Sequence, residues 1–217
     1  MAVVNHDTKE VAFKIVYCGT PMGGKTTNLS YIHSRIDGPQ RGDLVSLATS
    51  SDRTLFFDFL PIQTVVINGY RTRFMLYTVP GQIHYNATRQ MVLKGVDGII
   101  FVADSQTARM EENVASWHTL QHNLKENGTP VAQFPVVLQY NKRDLPEIAP
   151  VPYMDFMFNN GARTFLRFEA SAATGQNIFT TLNSAAQEIL QRFHRAAGSA
   201  PAPGLASSLH RAPAPAA

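Results

Sequence analysis

The sequence predicts an α/β domain: a mostly parallel sheet of six or more strands with one antiparallel strand pair and helices on both faces. Three observations predict it. Apolar, β-branched runs alternate with amphipathic stretches, the pattern of a parallel sheet whose crossovers are helical. Asn68-Gly69 separates two such runs, and Asn-Gly suits a two-residue hairpin because both residues accept positive φ. A glycine-rich loop, Gly19 to Thr26, lies directly after the first apolar run and directly before an amphipathic stretch.

Taken from the N-terminus, strands are expected at Val11 to Cys18, Leu55 to Ile67, Tyr70 to Thr78, Gly98 to Asp104, Pro135 to Tyr140 and Thr164 to Glu169. Residues 37–53 read as a polar connection holding a short strand at Leu44 to Ala48. Helices follow from spacing: Leu29, Ile32 and Ile36 share one face, Met110, Val114, Trp117 and Leu124 another, and Ile178, Leu182, Ile189 and Phe193 a third. A weaker helix is expected over Pro152 to Asn160. From Ala196 onward, 18 of 22 residues are Ala, Pro, Gly or Ser, too little apolar area to offset the entropy of ordering. The expected division is an N-terminal extension over 1–10, one domain over 11–195 and a disordered tail over 196–217.

With 217 residues, 44% hydrophobic and 16% charged, the chain has material for one core. The net charge of +3 is spread over single Lys and Arg residues, without the basic run that marks a nucleic-acid arm, so no nucleic-acid partner is expected. Cys18, the single cysteine, cannot form an internal disulfide, and at the end of a buried strand it reads as a small hydrophobe. The first ten residues lack a signal-peptide layout, no apolar run reaches a membrane span, residue 2 is Ala, and Ala214-Pro215-Ala216-Ala217 is no prenylation box. A cytoplasmic protein with no direct membrane anchor is expected.

Gly19-Thr20-Pro21-Met22-Gly23-Gly24-Lys25-Thr26 matches the G-x-x-x-x-G-K-[ST] phosphate loop in its required strand-loop-helix context. Average residue frequencies put a chance match in a chain of this length at about one in a hundred. The loop amides and the helix N-terminus present a concave positive surface to phosphate, and Gly19, Gly23 and Gly24 let the backbone approach. Lys25 is placed to bridge β- and γ-phosphate oxygens, Thr26 to ligate Mg²⁺, and Thr27 to stand beside the phosphates at the first helical turn.

A phosphate loop does not choose the base; Asn141-Lys142-Arg143-Asp144 does. It follows a strand, at the carboxyl edge of the sheet where open α/β folds bind ligands. The Asp144 carboxylate can accept from guanine N1–H and the exocyclic amine, donors that adenine lacks at those positions. Asn141 is expected to tie this loop to the phosphate loop and to guanine N7, the Lys142 stem to lie along the ring, and Ala172, after Ser171, to offer its N–H to guanine O6. The ligand predicted is GTP or GDP.

Together these residues resemble the Ras superfamily of P-loop NTPases and, within it, the bacterial gliding-motility MglA-type GTPases. The likeness rests on Gly19 to Thr26, Ser51 to Pro61, Thr78-Val79-Pro80-Gly81-Gln82, Lys94 to Gly98, Val102 to Gln106 and Gln139 to Leu145, and covers residues 11–195. It implies a molecular switch that hydrolyses GTP to GDP. Thr54 would close over Mg²⁺ and the γ-phosphate, Gly81 would give its N–H to that phosphate, and Gln82 would orient the attacking water. Arg53 would be an arginine finger supplied by the chain itself, neutralising transition-state charge. Thr78 departs from the superfamily's D-x-x-G, where an Asp holds a Mg²⁺-bound water; a hydroxyl can hold that water without the charge.

The resemblance also implies a Roadblock-type activating protein, effectors of polarity or motility, and recruitment to a cell pole by those partners. Two alternatives stand beside it: a scaffold that binds GTP with little or no hydrolysis, motivated by Thr78, and a nucleotide kinase or ATPase, which would need an arginine-rich lid that the sequence lacks. His118 and His122, at i, i+4 spacing, lack a third metal ligand and read as solvated.

Overall fold

A computed structural model describes residues 2–47, 57–67, 69–80, 86–161 and 163–196. Eight strands form one sheet: β1 (Val3–Asn5), β2 (Glu10–Gly19), β3 (Val45–Leu47), β4 (Phe57–Ile67), β5 (Tyr70–Thr78), β6 (Gly98–Asp104), β7 (Val136–Asn141) and β8 (Leu166–Glu169). The order is β3-β4-β5-β2-β6-β7-β8, with β1 beside β2. From β5 to β8 the pairings are parallel, and β4 pairs antiparallel with β5, with Gly69 at φ +82° just before β5. Two short antiparallel pairings, β1 with β2 and β3 with β4, extend the sheet further.

Five α-helices are described: α1 (Lys25–Arg35), α2 (Asn86–Leu93), α3 (Met110–Glu126), α4 (Val151–Phe158) and α5 (Ile178–Ala196). Strand alternation sorts the core into two layers. Phe13, Ile15 and Tyr17 of β2 join Ile100, Val102 and Val137 against Leu29 and Ile32 of α1 and Ile178, Leu182 and Ile189 of α5. Val16 and Cys18 face the other way, with Phe101, Leu138 and Tyr140, against α2, α3 and α4. β6 and β7 are buried at every residue on both faces, which is why they read as mostly apolar runs.

Two elements lie outside the sequence expectation. α2 was not expected: it has eight residues, and its buried apolar pair, Val92 and Leu93, sits at one end, too short a pattern to show a period. β1 falls in the N-terminal extension, where the Asn5 side chain accepts from the Asp7 and Thr8 amides and turns the chain back into β2. The tail beyond Ala196 lies outside the described residues. Because β2, β5, β6, β7 and β8 run parallel, their carboxyl ends gather Gly19, Thr78, Asp104, Asn141 and Glu169 along one edge of the sheet.

Candidate functional site

The Gly19–Thr26 loop leaves β2 at this edge and opens α1 at Lys25. Gly19 has φ +133°, and a Cβ there would strike the Val102 carbonyl; Gly24 has φ +98°, and a Cβ there would strike the Asn141 amide. Nearly every carbonyl of the loop is engaged. Lys25 Nζ donates to Gly19 O (3.0 Å) and Thr20 O (2.7 Å), Asn141 Nδ2 to Gly23 O (2.8 Å), and Asn28 Nδ2 to Gly24 O (2.8 Å). In a planar trans peptide a carbonyl held on one side turns the next N–H to the other, so these bonds set the directions of the loop amides. Lys25 is 7% exposed, and burial lowers its pKa to about 8.

Beside the loop stands a carboxylate that sequence reasoning missed. Asp58, 8% exposed on β4, accepts from Thr26 Oγ1 (2.6 Å), Ser46 Oγ (2.7 Å) and Thr78 Oγ1 (3.0 Å), while its own amide donates to Thr78 Oγ1 (2.8 Å). Thr78 occupies the strand position where the resemblance implies an Asp, and the neighbouring strand brings a carboxylate to the same place. The donor set of Thr26, Asp58 and Thr78 is all oxygen with one negative charge, which fits a hard cation such as Mg²⁺. Thr26 can donate its hydroxyl proton to Asp58 and still offer lone pairs to a metal. Among the described residues no cluster of three His, Cys, Asp or Glu forms.

On the other side of Gly24, Asn141 ends β7. Its Nδ2 holds Gly23 O, and its Oδ1 accepts from the Ala172 amide at 2.9 Å. The expected tie to the phosphate loop is therefore present, whereas the Ala172 N–H, expected to face guanine O6, is already held by Asn141. Lys142, at φ +65°, reaches Asp104 at 2.6 Å, and Arg143 pins the turn to Glu169 (3.0 Å) and to Ala149 O (2.7 Å). Ser171 is fully buried: its hydroxyl accepts from the Thr174 amide and its backbone pairs with Gln176. Asp144 is exposed at the end of this braced turn.

Thr27 is exposed on the first turn of α1. Arg53, Thr54, Gly81 and Gln82 lie outside the described residues; Val79 and Pro80, which lead to the last two, are buried. Cys18 is buried, and burial pushes its thiol up to about 12, in keeping with an inert role. His118 and His122 are exposed beside buried Trp117, and His122 reaches Glu126 at 3.2 Å. No helix among the described residues is long and apolar enough to cross a membrane.

The Ras family model matches residues 45–191. The mutual gliding-motility protein MglA of Myxococcus xanthus (strain DK1622) is 48% identical over 195 residues, 90% of this chain and 99% of that protein. The Ras-related protein Rab-28 of Caenorhabditis elegans is 26% identical over 193 residues, 87% of this chain and 71% of the relative. The Ras-related protein Rab-13 of Mesocricetus auratus is 30% identical over 139 residues, 63% and 64% of the two chains.

Proposed function

Because the chain belongs to the Ras family and is a GTPase that binds guanine nucleotide, we propose that it works as a GTP/GDP switch through the domain spanning residues 11–195, with Gly19 to Thr26 holding the phosphates and Asn141 to Asp144 holding the base. The observation that carries this reading is the Asn141 side chain, which joins Gly23 of one loop to Ala172 beside the other. A ligand with phosphates at one end and a base at the other suits two loops locked at a fixed separation.

Lys25 moves from the loop carbonyls to the β- and γ-phosphates. Thr26 and Thr54 would hold Mg²⁺, with Asp58 and Thr78 supporting it from β4 and β5; when bound, the ion would neutralise negative charge on the phosphates. Gly81 donates its amide to the γ-phosphate. Gln82 orients a water whose oxygen bonds to the γ-phosphorus as the bond to the bridging oxygen breaks, leaving GDP and phosphate. Arg53 neutralises charge on the leaving side. Asp58 answers the observation behind the scaffold reading, because the carboxylate that Thr78 lacks stands 3.0 Å away on β4.

The gliding-motility relative motivates a role in polarity or motility, exercised from the cytoplasm with recruitment to a cell pole by partners. A Roadblock-type activating protein would press Arg53 into place without giving an arginine of its own. Single-turnover hydrolysis with and without that protein tests the assignment. Gln82→Leu and Arg53→Ala should each cut the stimulated rate by at least about 10³-fold while GTP affinity stays within a few fold. Full stimulation of Arg53→Ala would transfer the finger to the partner, and less than one phosphate released per wild-type molecule with the partner present would leave the scaffold reading.

A further inference from the structure

The carbonyls of the phosphate loop do not all have holders of the same kind. Gly19 O and Thr20 O are held by Lys25, which must leave them to reach a phosphate. Gly23 O and Gly24 O are held by Asn141 and Asn28, which stay. Between them lies the outermost turn, where Met22 is 84% exposed at φ +58° and Pro21 has no amide of its own. Gly23 N–H donates to Thr20 O at 3.2 Å and closes the ends of this turn, but that bond does not hold the plane of the Pro21–Met22 peptide between them.

Its holders are Arg109, immediately before α3, and Glu112 in the first turn of α3. Arg109 Nη2 donates to Pro21 O at 2.9 Å, across 88 residues of sequence, and Arg109 Nη1 pairs with Glu112 Oε1 at 2.6 Å. The other oxygen of Glu112 accepts from the buried Thr20 hydroxyl at 3.2 Å. One ion pair thus grips two consecutive loop residues, a side-chain hydroxyl and a main-chain carbonyl.

We propose that Arg109 and Glu112 are positioning residues for the phosphate loop, keeping its outer turn in the phosphate-binding shape once Lys25 has turned to the nucleotide. The planar peptide carries the argument: with Pro21 O held against α3, the Met22 N–H points the opposite way, away from α3. Without the clamp, the Pro21–Met22 peptide is free to rotate, and the loop loses a fixed donor when its lysine is no longer bracing it. The inference rests on the phosphate-loop reading of Gly19 to Thr26. A half-exposed i, i+3 ion pair by itself adds little stability, so the effect should fall on the ligand rather than on the fold.

The test uses the full chain loaded with fluorescent mant-GDP in Mg²⁺ buffer and chased with excess GDP, together with the ³¹P spectrum of bound GDP. Arg109→Ala should speed release about tenfold, the worth of one charged hydrogen bond partly screened by solvent, and shift the β-phosphate resonance. Arg109→Lys should restore part of both, and Arg109→Ala with Glu112→Ala should be no worse than the worse single variant, since the pair acts as a unit. Lys25→Ala is the control. If it releases GDP fast while Arg109→Ala behaves as wild type, the clamp is overturned and the loop stands. Normal release from both variants would overturn the loop assignment as well. Fast release from Arg109→Ala with an unmoved β-phosphate resonance would mean a generally loosened fold and also overturns the clamp.

Discussion

In the half of the site around Lys25, the polar side chains already hold other groups of the protein; in the half around Asn141, the braced groups are committed to the scaffold and the proposed recognition group is exposed. Lys25 sits on two loop carbonyls, and Thr26 and Thr78 on Asp58. Arg143 and Ser171 are committed to the scaffold, while Asp144 is exposed at the rim. A ligand entering the first half therefore exchanges partners with the protein, and one entering the second adds to it. Exchange makes affinity sensitive to ion and proton conditions, whereas addition makes it sensitive to the identity of the base.

The largest expected effect breaks the additive half. Asp144→Asn should lower GTP affinity by about 10²-fold, since the amide places a donor against a guanine donor and a charged paired bond is lost. The same change should raise affinity for xanthosine triphosphate. Competition of both nucleotides against a fluorescent GDP analogue measures it, and unchanged GTP affinity would remove Asp144 from the base site.

The contrast also explains what the sequence made legible. Gly19 to Thr26 and Asn141 to Asp144 are local motifs, each on one loop after one strand, and their residues touch as expected where Asn141 meets Gly23. Asp58 is a single acid in an otherwise uncharged strand, and its partnership with Thr78 exists only because β4 pairs antiparallel with β5 in that register. Spacing along the chain does not carry such a lateral relation. The same holds for Arg109 and Pro21, which sit on different elements, and for Ala172, whose amide was assigned to the base but turns to Asn141.

An intermediate effect sharpens the exchange half. Asp58→Asn keeps the size of the side chain and removes its charge, so Mg²⁺-dependent nucleotide retention should need about tenfold more Mg²⁺, the lower end of what losing a supporting carboxylate costs. GDP release measured across a Mg²⁺ series should shift in midpoint for this variant and stay in place for Asp144→Asn. A shift in Asp144→Asn as well would mean that the two halves are not separable.

The smallest expected effect is a pH dependence, and it falls only on the exchange half. Burial, reinforced by Arg89 and opposed by Cys18 and Asp58, lowers the Lys25 pKa to about 8. Phosphate oxygens stabilise the ammonium, so nucleotide binding raises that pKa again, and above pH 8 binding must take up a proton. Affinity should therefore be flat below pH 7.5 and fall as the pH rises, by about threefold between pH 7.5 and 8.5 for one group titrating at this pKa. The stability of the nucleotide-free fold should move oppositely. Because the unfolded chain keeps Lys25 protonated up to its ordinary 10.5, it binds more protons than the folded chain between about 8 and 10.5, and Lys25 makes the fold more stable as pH climbs through that window. Lys25→Arg, which stays charged throughout, should abolish the slope in affinity at some cost in absolute binding, while Asp144→Asn, weaker at every pH, should keep the wild-type slope. The measurement is nucleotide affinity from pH 6.5 to 9 for the three proteins. An equal slope in Lys25→Arg and wild type would show that the titrating group lies elsewhere, and that Lys25 is not the residue whose exchange of partners admits the phosphates.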